Sequence, residues 1–179
     1  TIGVGKKFGV MVVVLDSKQF EIATFRKEHG YSDHRRPDQV EWADELEDAK
    51  RRDFTINALF YDPITQKVID HVGGRKDLQD KVIRFIGDPA LRIEEDHLRL
   101  LRAIRFKNTL GFDYDRLTWQ AVKKYASSVA RVSSERVRDE LNKMFEHRSR
   151  AESLWDLDKS GLLAAAVPIL FCSASARRA

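Results

Sequence analysis

Residues 10–15, Val10-Met11-Val12-Val13-Val14-Leu15, are apolar at every position and rich in β-branched side chains, the pattern of a strand buried on both faces. Asp16-Ser17-Lys18 then supplies turn chemistry. Beyond it Phe20, Ile22 and Thr24 alternate with Glu21, Ala23 and Phe25, so residues 8–25 read as a hairpin. Glu21 projects from the middle of the second strand beside a buried neighbour, a costly place for a carboxylate without a partner. Periodicity is lost over residues 26–44, which hold Gly30, Pro37 and mixed charges and are expected to form a loop, functional or disordered, longer than most connections. Helical spacing returns near Leu46 and runs to about Leu59, and residues 67–72 read as a short strand closed by Gly73-Gly74.

From there the pattern is helical. Asp88-Pro89 has the form of an N-cap with proline at the first helical position, and Leu98, Leu101 and Ile104 keep one apolar stripe as far as the terminator Gly111. Further helices are predicted over residues 116–125 and from Ser133 or Ser134, the latter turning Val137, Leu141, Met144 and Phe145 inward. Residues 154–170 are more loosely helical, and residues 173–179 read as an unstructured end. A β-containing part to about Ile83 followed by helices predicts an α+β fold with a helical appendage.

Composition narrows the function classes only modestly. The 179 residues are 42% hydrophobic, enough for a real core, and 34% charged with a net charge of +4, which permits a polyanionic partner without demanding one. The single cysteine, Cys172, excludes a disulfide framework and a cysteine-rich zinc site. No apolar run approaches the ~20 residues of a membrane span, and the chain opens without a signal peptide, so a cytoplasmic protein or a piece of one is expected.

Two segments concentrate chemistry. In Lys50-Arg51-Arg52-Asp53-Phe54-Thr55-Ile56-Asn57-Ala58-Leu59, a helical reading puts Asp53 and Asn57 on one face, where a carboxylate and an amide together can hold a ribose hydroxyl, with the Arg52 guanidinium nearby for phosphate oxygens. In residues 94–106, Asp96, Arg99, Arg102 and Arg105 recur every three residues along one helical ridge. Asp96 and Arg99 can read a base edge, accepting and donating, while Arg102 and Arg105 meet phosphates. The same spacings equally describe solvated helices laced with ion pairs. Gly3-Val4-Gly5-Lys6-Lys7 lacks the spacing of a phosphate loop. Asp113-Tyr114-Asp115 and Asp156-Leu157-Asp158 fall at predicted helix boundaries, where Asp is a routine cap, and the five histidines show no metal-ligand spacing.

Together these residues resemble the class II nucleotidyltransferases, the bacterial CCA-adding tRNA nucleotidyltransferases and the poly(A) polymerases. The resemblance runs from about Gly5 to Phe145 in five ordered segments. Glu21-Ile22-Ala23-Thr24-Phe25-Arg26 followed by residues 31–40 looks like the end of the catalytic sheet and the flexible loop. Arg51-Arg52-Asp53-Phe54-Thr55-Ile56-Asn57-Ala58 is similar to the ribose-sensing motif, and Asp70-His71-Val72-Gly73-Gly74-Arg75-Lys76-Asp77-Leu78 to the hinge between head and neck. Glu95-Asp96-His97-Leu98-Arg99 matches the base-reading motif, and Ser134-Glu135-Arg136-Val137-Arg138-Asp139-Glu140-Leu141 the neck segment that braces it.

The resemblance implies the C-terminal part of a polymerase-β-like head over residues 1–84, a nucleotide-selecting helical neck over 85–150, and the start of a helical body with a disordered tail over 151–179. It implies that Arg52 contacts phosphates, that Asp53 and Asn57 favour ribose over deoxyribose, that Asp96 and Arg99 select ATP or CTP, and that Arg102 and Arg105 complete nucleotide binding. Glu21 takes the place of the third strand carboxylate near the catalytic Mg²⁺ ions. The family's Asp-x-Asp metal ligands, after a Gly-Gly-x-x-x-Arg-Asp loop, belong upstream of residue 10, and the chain begins too late to hold them. The expected function is addition of CCA or A to the 3′ end of tRNA or another RNA by two-metal transfer, with these residues alone inactive. A poly(A) polymerase, a non-catalytic RNA-binding module that keeps the nucleotide pocket, and a basic helical domain binding nucleic acid by charge alone are the alternatives.

Overall fold

The computed structural model describes residues 10–30 and 39–170. The Gly3-Val4-Gly5-Lys6-Lys7 segment, the centre of the expected loop at 31–38 and the end at 173–179 lie outside the described residues. Among the described residues the architecture is α+β: four two-stranded sheets, and helices that dominate after residue 88.

Strands β1 (Val10–Leu15) and β2 (Lys18–Ala23) form the expected antiparallel ribbon, in register from Val10 opposite Ala23 to Leu15 opposite Lys18. Asp16 and Ser17 both take positive φ, the left-handed turn that matches the twist of a tight hairpin. The expected burial on both faces is corrected. Leu15, Phe20 and Ile22 are exposed, because among the described residues β1 pairs with β2 alone and no second layer lies over the ribbon. The expected loop over residues 26–44 is corrected as well. Strands β3 (Arg26–His29) and β4 (Gln39–Trp42) pair antiparallel within it. Alternating polarity was too weak there to reveal them.

Helix α1 (Glu45–Arg51) is capped by Asp44, whose Oδ1 accepts from the Glu47 N–H at 2.9 Å, and it carries acidic residues in its first turn and basic ones in its last. It stops at Arg51 rather than Leu59. The chain then runs extended, makes a 3₁₀ turn (Thr55–Asn57) and enters β5 (Leu59–Asp62), which pairs antiparallel with β6 (Lys67–Asp70). Asp70 ends β6 by accepting from the backbone N–H groups of Val72, Gly73, Gly74 and Arg75 at 2.9–3.1 Å, which starts α2 (Gly74–Asp80). Partial burial pushes the Asp70 carboxyl up, but those four donors outweigh it and hold the group below the usual range.

Strand β7 (Val82–Ile83) lies parallel to β8 (Asp113–Tyr114). The stripe expected to run unbroken from residue 88 to Gly111 is two helices, α3 (Pro89–Glu95) and α4 (Arg99–Leu110). Asp88 caps α3 as expected, and Gly111 ends α4 with φ of +67°. Helices α5 (Arg116–Lys124), α6 (Ser134–Phe145), α7 (Arg150–Ser160) and α8 (Leu162–Ala166) follow, and α6 and α7 pack directly against α4. Val137 and Met144 are buried as the spacing predicts, whereas Phe145 is exposed at the end of its helix.

The main core is centred on α4. Leu100, Leu101 and Ile104 are fully buried beside Val122, Met144, Leu157 and Leu162. Phe54 and Ile83 join that same core, so the segment after α1 is fastened to the helices rather than to the β1–β2 ribbon. Full burial of one such side chain is worth ~1.5–3 kcal/mol. Asp156 sits in the middle of α7 and accepts from the Asn108 amide (2.9 Å) and the Tyr114 hydroxyl (3.0 Å). The expected capping role of Asp156 is thereby corrected, while Asp115 does cap α5.

A candidate nucleotide site between two polar walls

A polar cleft of about 510 Å³ opens between residues 51–57 and residues 96–106, with Arg136 of α6 closing one side. The first wall owes its shape to Phe54. This ring stacks on Phe85 at 4.9 Å and meets the edge of Phe106 at 5.6 Å, and it pulls the chain out of helix. The Thr55 N–H donates to the Arg84 carbonyl (3.0 Å) and the Ile86 N–H to the Asp53 carbonyl (3.1 Å). Those bonds replace helical ones, which is why α1 ends where it does. Asp53 and Asn57 meet nonetheless. The Asn57 amide donates to Asp53 Oδ1 at 3.0 Å across the 3₁₀ turn, not along a helix face.

Asp53 is buried and held from three sides. Its Oδ1 also accepts from the Phe54 N–H (2.8 Å), and its Oδ2 from Arg102 Nε (2.7 Å). Arg52 donates to Asp48 (3.0 Å) and to the Asn57 carbonyl (3.0 Å), and lies over the Phe60 ring at 5.3 Å. The side chains of Arg52, on this wall, and Arg102, on the facing one, remain 38% and 32% exposed, the more accessible cations of the cleft.

The second wall begins at the break between α3 and α4. Asp96 is the extended residue there, with φ −150°, so it does not share one helical ridge with the arginines that follow. Its Oδ1 accepts from the Leu98 N–H at 3.1 Å, and both oxygens accept from the Arg136 guanidinium, at 3.0 and 2.7 Å. Such a fork fixes the plane of the carboxylate. Arg99 is buried, its side chain 10% exposed. It donates to Glu95 (2.6 Å), to the Arg92 carbonyl (2.8 Å) and to the Arg51 carbonyl (3.0 Å), tying α4 to α3 and to the end of α1. Those bonds commit three of the five N–H groups of its guanidinium.

Arg105 parts company with the others. One further three-residue step turns it away from the cleft to pair with Glu140 of α6, itself buried, while its guanidinium covers Phe106 at 4.1 Å. Arg51 and Arg136, by contrast, line the cleft although the sequence did not single them out. Arg136 stands in the segment expected to brace the base-reading motif, so that signal was available. Five arginines against two aspartates give the lining a surplus of positive charge, suited to a polyphosphate.

Glu21 lies exposed on β2 opposite Val12, so the desolvation cost expected of it does not arise. Among the described residues no three His, Cys, Asp or Glu side chains converge to hold a metal ion, around Glu21 or elsewhere. Mg²⁺ is bound through one or two carboxylates completed by water and substrate phosphates, and Glu21 by itself would supply one of those ligands.

Residues 1–84 match the poly A polymerase head domain, and residues 111–172 match a probable RNA- and SrmB-binding site of polymerase A. The chain is 44% identical to the CCA-adding enzyme of Bacillus pumilus over 83% of its own length and 37% of that enzyme. It is 42% identical to the CCA-adding enzyme of Bacillus subtilis over 90% of its length and 41% of that enzyme. It superposes on the CCA-adding enzyme of Bacillus stearothermophilus in complex with CTP with a TM-score of 0.80, at 37% identity, covering 90% of this chain and 38% of the other. A tRNA nucleotidyltransferase complexed with a primer tRNA and an incoming ATP analogue gives 0.77 at 30% identity, covering 90% and 45%. This chain therefore belongs to the class II nucleotidyltransferases, the family of the CCA-adding enzymes and poly(A) polymerases. It spans about two fifths of the length of the curated relatives it matches. Among the described residues no helix is long and apolar enough to cross a membrane.

Proposed function

We propose that this chain carries the nucleotide-selecting cleft of an enzyme that adds ribonucleotides to the 3′ end of tRNA without a template. The observation that carries the reading is the convergence of Arg52, Asp53 and Asn57 with Asp96, Arg99 and Arg102 on one cleft, across more than 40 residues of sequence. The organisation goes with it: residues 1–84 as part of a head, 85–150 as a neck, and 151–179 as the start of a body.

Each wall has its task. Asp53 and Asn57 face the ribose, the carboxylate accepting from a hydroxyl and the amide donating to it. Arg52 and Arg102, the more exposed cations, take the phosphates. Asp96, its plane fixed by Arg136, accepts from the exocyclic amino group that adenine and cytosine both carry. The uncommitted donors of Arg99 serve the acceptor beside it. This division accounts for ATP and CTP, and it matches relatives solved with CTP and with an ATP analogue and primer tRNA. Arg105, turned toward Glu140, supports the wall from behind rather than meeting phosphate. Glu21 and Mg²⁺ belong to the transfer chemistry of the whole enzyme, and among the described residues no cluster of further ligands joins Glu21. A tRNA substrate makes the cytoplasm the site of action. A poly(A) polymerase would use the same walls, with adenine alone.

Arg99→Lys tests the reading in the full-length protein with a tRNA lacking its terminal nucleotides. Lysine keeps the charge but cannot hold three carbonyl and carboxylate partners while presenting two further donors. Loss of a charged hydrogen bond should lower kcat/KM for ATP and CTP by roughly 10- to 100-fold. Unchanged use of both nucleotides, with only a lower Tm, would leave Arg99 as a structural tie.

A further inference from the structure

The pair that faces the ribose hangs on a short 3₁₀ turn, and that turn is held from behind by groups outside the cleft. The Thr55 hydroxyl donates to Asp77 Oδ2 of α2 at 2.7 Å, and both residues are buried. Gly74, also on α2, lies so close that a Cβ there would stand 2.2 Å from the Thr55 carbonyl oxygen. Asp77 is itself fixed, since Arg84 Nε donates to it at 3.0 Å and Arg84 Nη1 donates to Asp115, the cap of α5, at 2.6 Å. Partial burial pulls the Arg84 guanidinium down, but the two carboxylates outweigh it and strengthen its charged form.

We propose that Asp77, acting through the Thr55 hydroxyl, is a positioning residue for ribose selection. It resides on α2, away from the cleft lining, and sets where the 3₁₀ turn places Asn57 against Asp53. The inference deepens the ribose reading above and rests on it. Its physical basis is economy of attachment. Thr55 opens the turn and Asn57 closes it, so a shift of the first residue is carried to the amide two residues on. A hydroxyl bonded to a buried, arginine-clamped carboxylate has one position to occupy, whereas packing alone would leave a three-residue turn several.

The test compares three variants of the full-length protein by their ratio of kcat/KM for ATP over dATP in tRNA extension, with Tm recorded alongside. Thr55→Val keeps the shape and removes the donor; the ratio should fall about fivefold, one net hydrogen bond's worth. Thr55→Ser keeps the hydroxyl and should restore the ratio even if its missing methyl lowers Tm. Asn57→Ala reports on the underlying reading and should reduce the ratio by a similar factor. If Asn57→Ala reduces the ratio while Thr55→Val lowers only Tm, the positioning role of Asp77 is overturned and the ribose reading stands. If Asn57→Ala leaves the ratio unchanged, the ribose reading fails and the inference falls with it.

Discussion

The cleft walls mix charged and apolar residues and the β1–β2 ribbon is mostly apolar, yet the walls are the better anchored of the two. At the cleft, three of the proposed site residues stand beside fully buried side chains: Asp53 precedes Phe54, Asn57 precedes Ala58, and Arg99 precedes Leu100. On the ribbon, Leu15 and Ile22 are 62% and 58% exposed and Glu21 has no described layer behind it. Ladder hydrogen bonds alone fix that ribbon, and a two-stranded ribbon is marginal on such bonds. Precise side-chain placement therefore belongs to segments fastened to the core, as both cleft walls are through Phe54 and Leu100.

The sharpest way to break this comparison is Phe54→Ala. Removing a ring that stacks on Phe85 and anchors the first wall should cost ~3–5 kcal/mol, read as a shift in urea midpoint. A loss below ~1 kcal/mol, the typical size for a single substitution, would mean the wall is not fastened to the core. A smaller effect is expected at Asp70, between the two regions. Asp70→Ala removes the cap of α2 and should cost ~1 kcal/mol at neutral pH. Because the folded carboxyl titrates below its unfolded counterpart, its contribution is complete above the unfolded value and fades as pH falls through the folded one. Wild-type and variant stabilities should accordingly converge in acid, and a gap that persists there would assign the loss to packing. Ile22→Ser on the ribbon should change stability least, within about 0.5 kcal/mol. A larger loss by thermal unfolding would reveal a layer over the ribbon.

Much of this was legible in the chain. The hairpin, the Asp88-Pro89 start, the Gly111 stop and the α5 and α6 helices follow from short-range signals, and those signals act locally in the fold too. The misses have one cause. Periodicity carried a helix through residues 52–59 because the competing partner, the Phe85 edge, lies some 30 residues away and leaves no local mark. It ran α3 into α4 because no glycine or proline follows Pro89 to mark the break before Leu98. Strands β3 and β4 are short and polar, below what alternation can signal. For the cleft, residue types in two segments, joined by the family resemblance, pointed to Arg52, Asp53, Asn57, Asp96, Arg99 and Arg102, although the helical spacing expected to align them does not hold. They could not reveal that Arg105 turns to Glu140, since that choice depends on where α6 lies.

Asp53 illustrates what such bracketing does to molecular choice. A carboxylate gripped by an arginine, an amide and its own backbone has surrendered its motion before any visitor arrives. Entropy has little left to collect at docking. On the ribose reading, a sugar lacking one oxygen would then be refused not by a door that fails to shut, but by a rigid seat with one unfilled place.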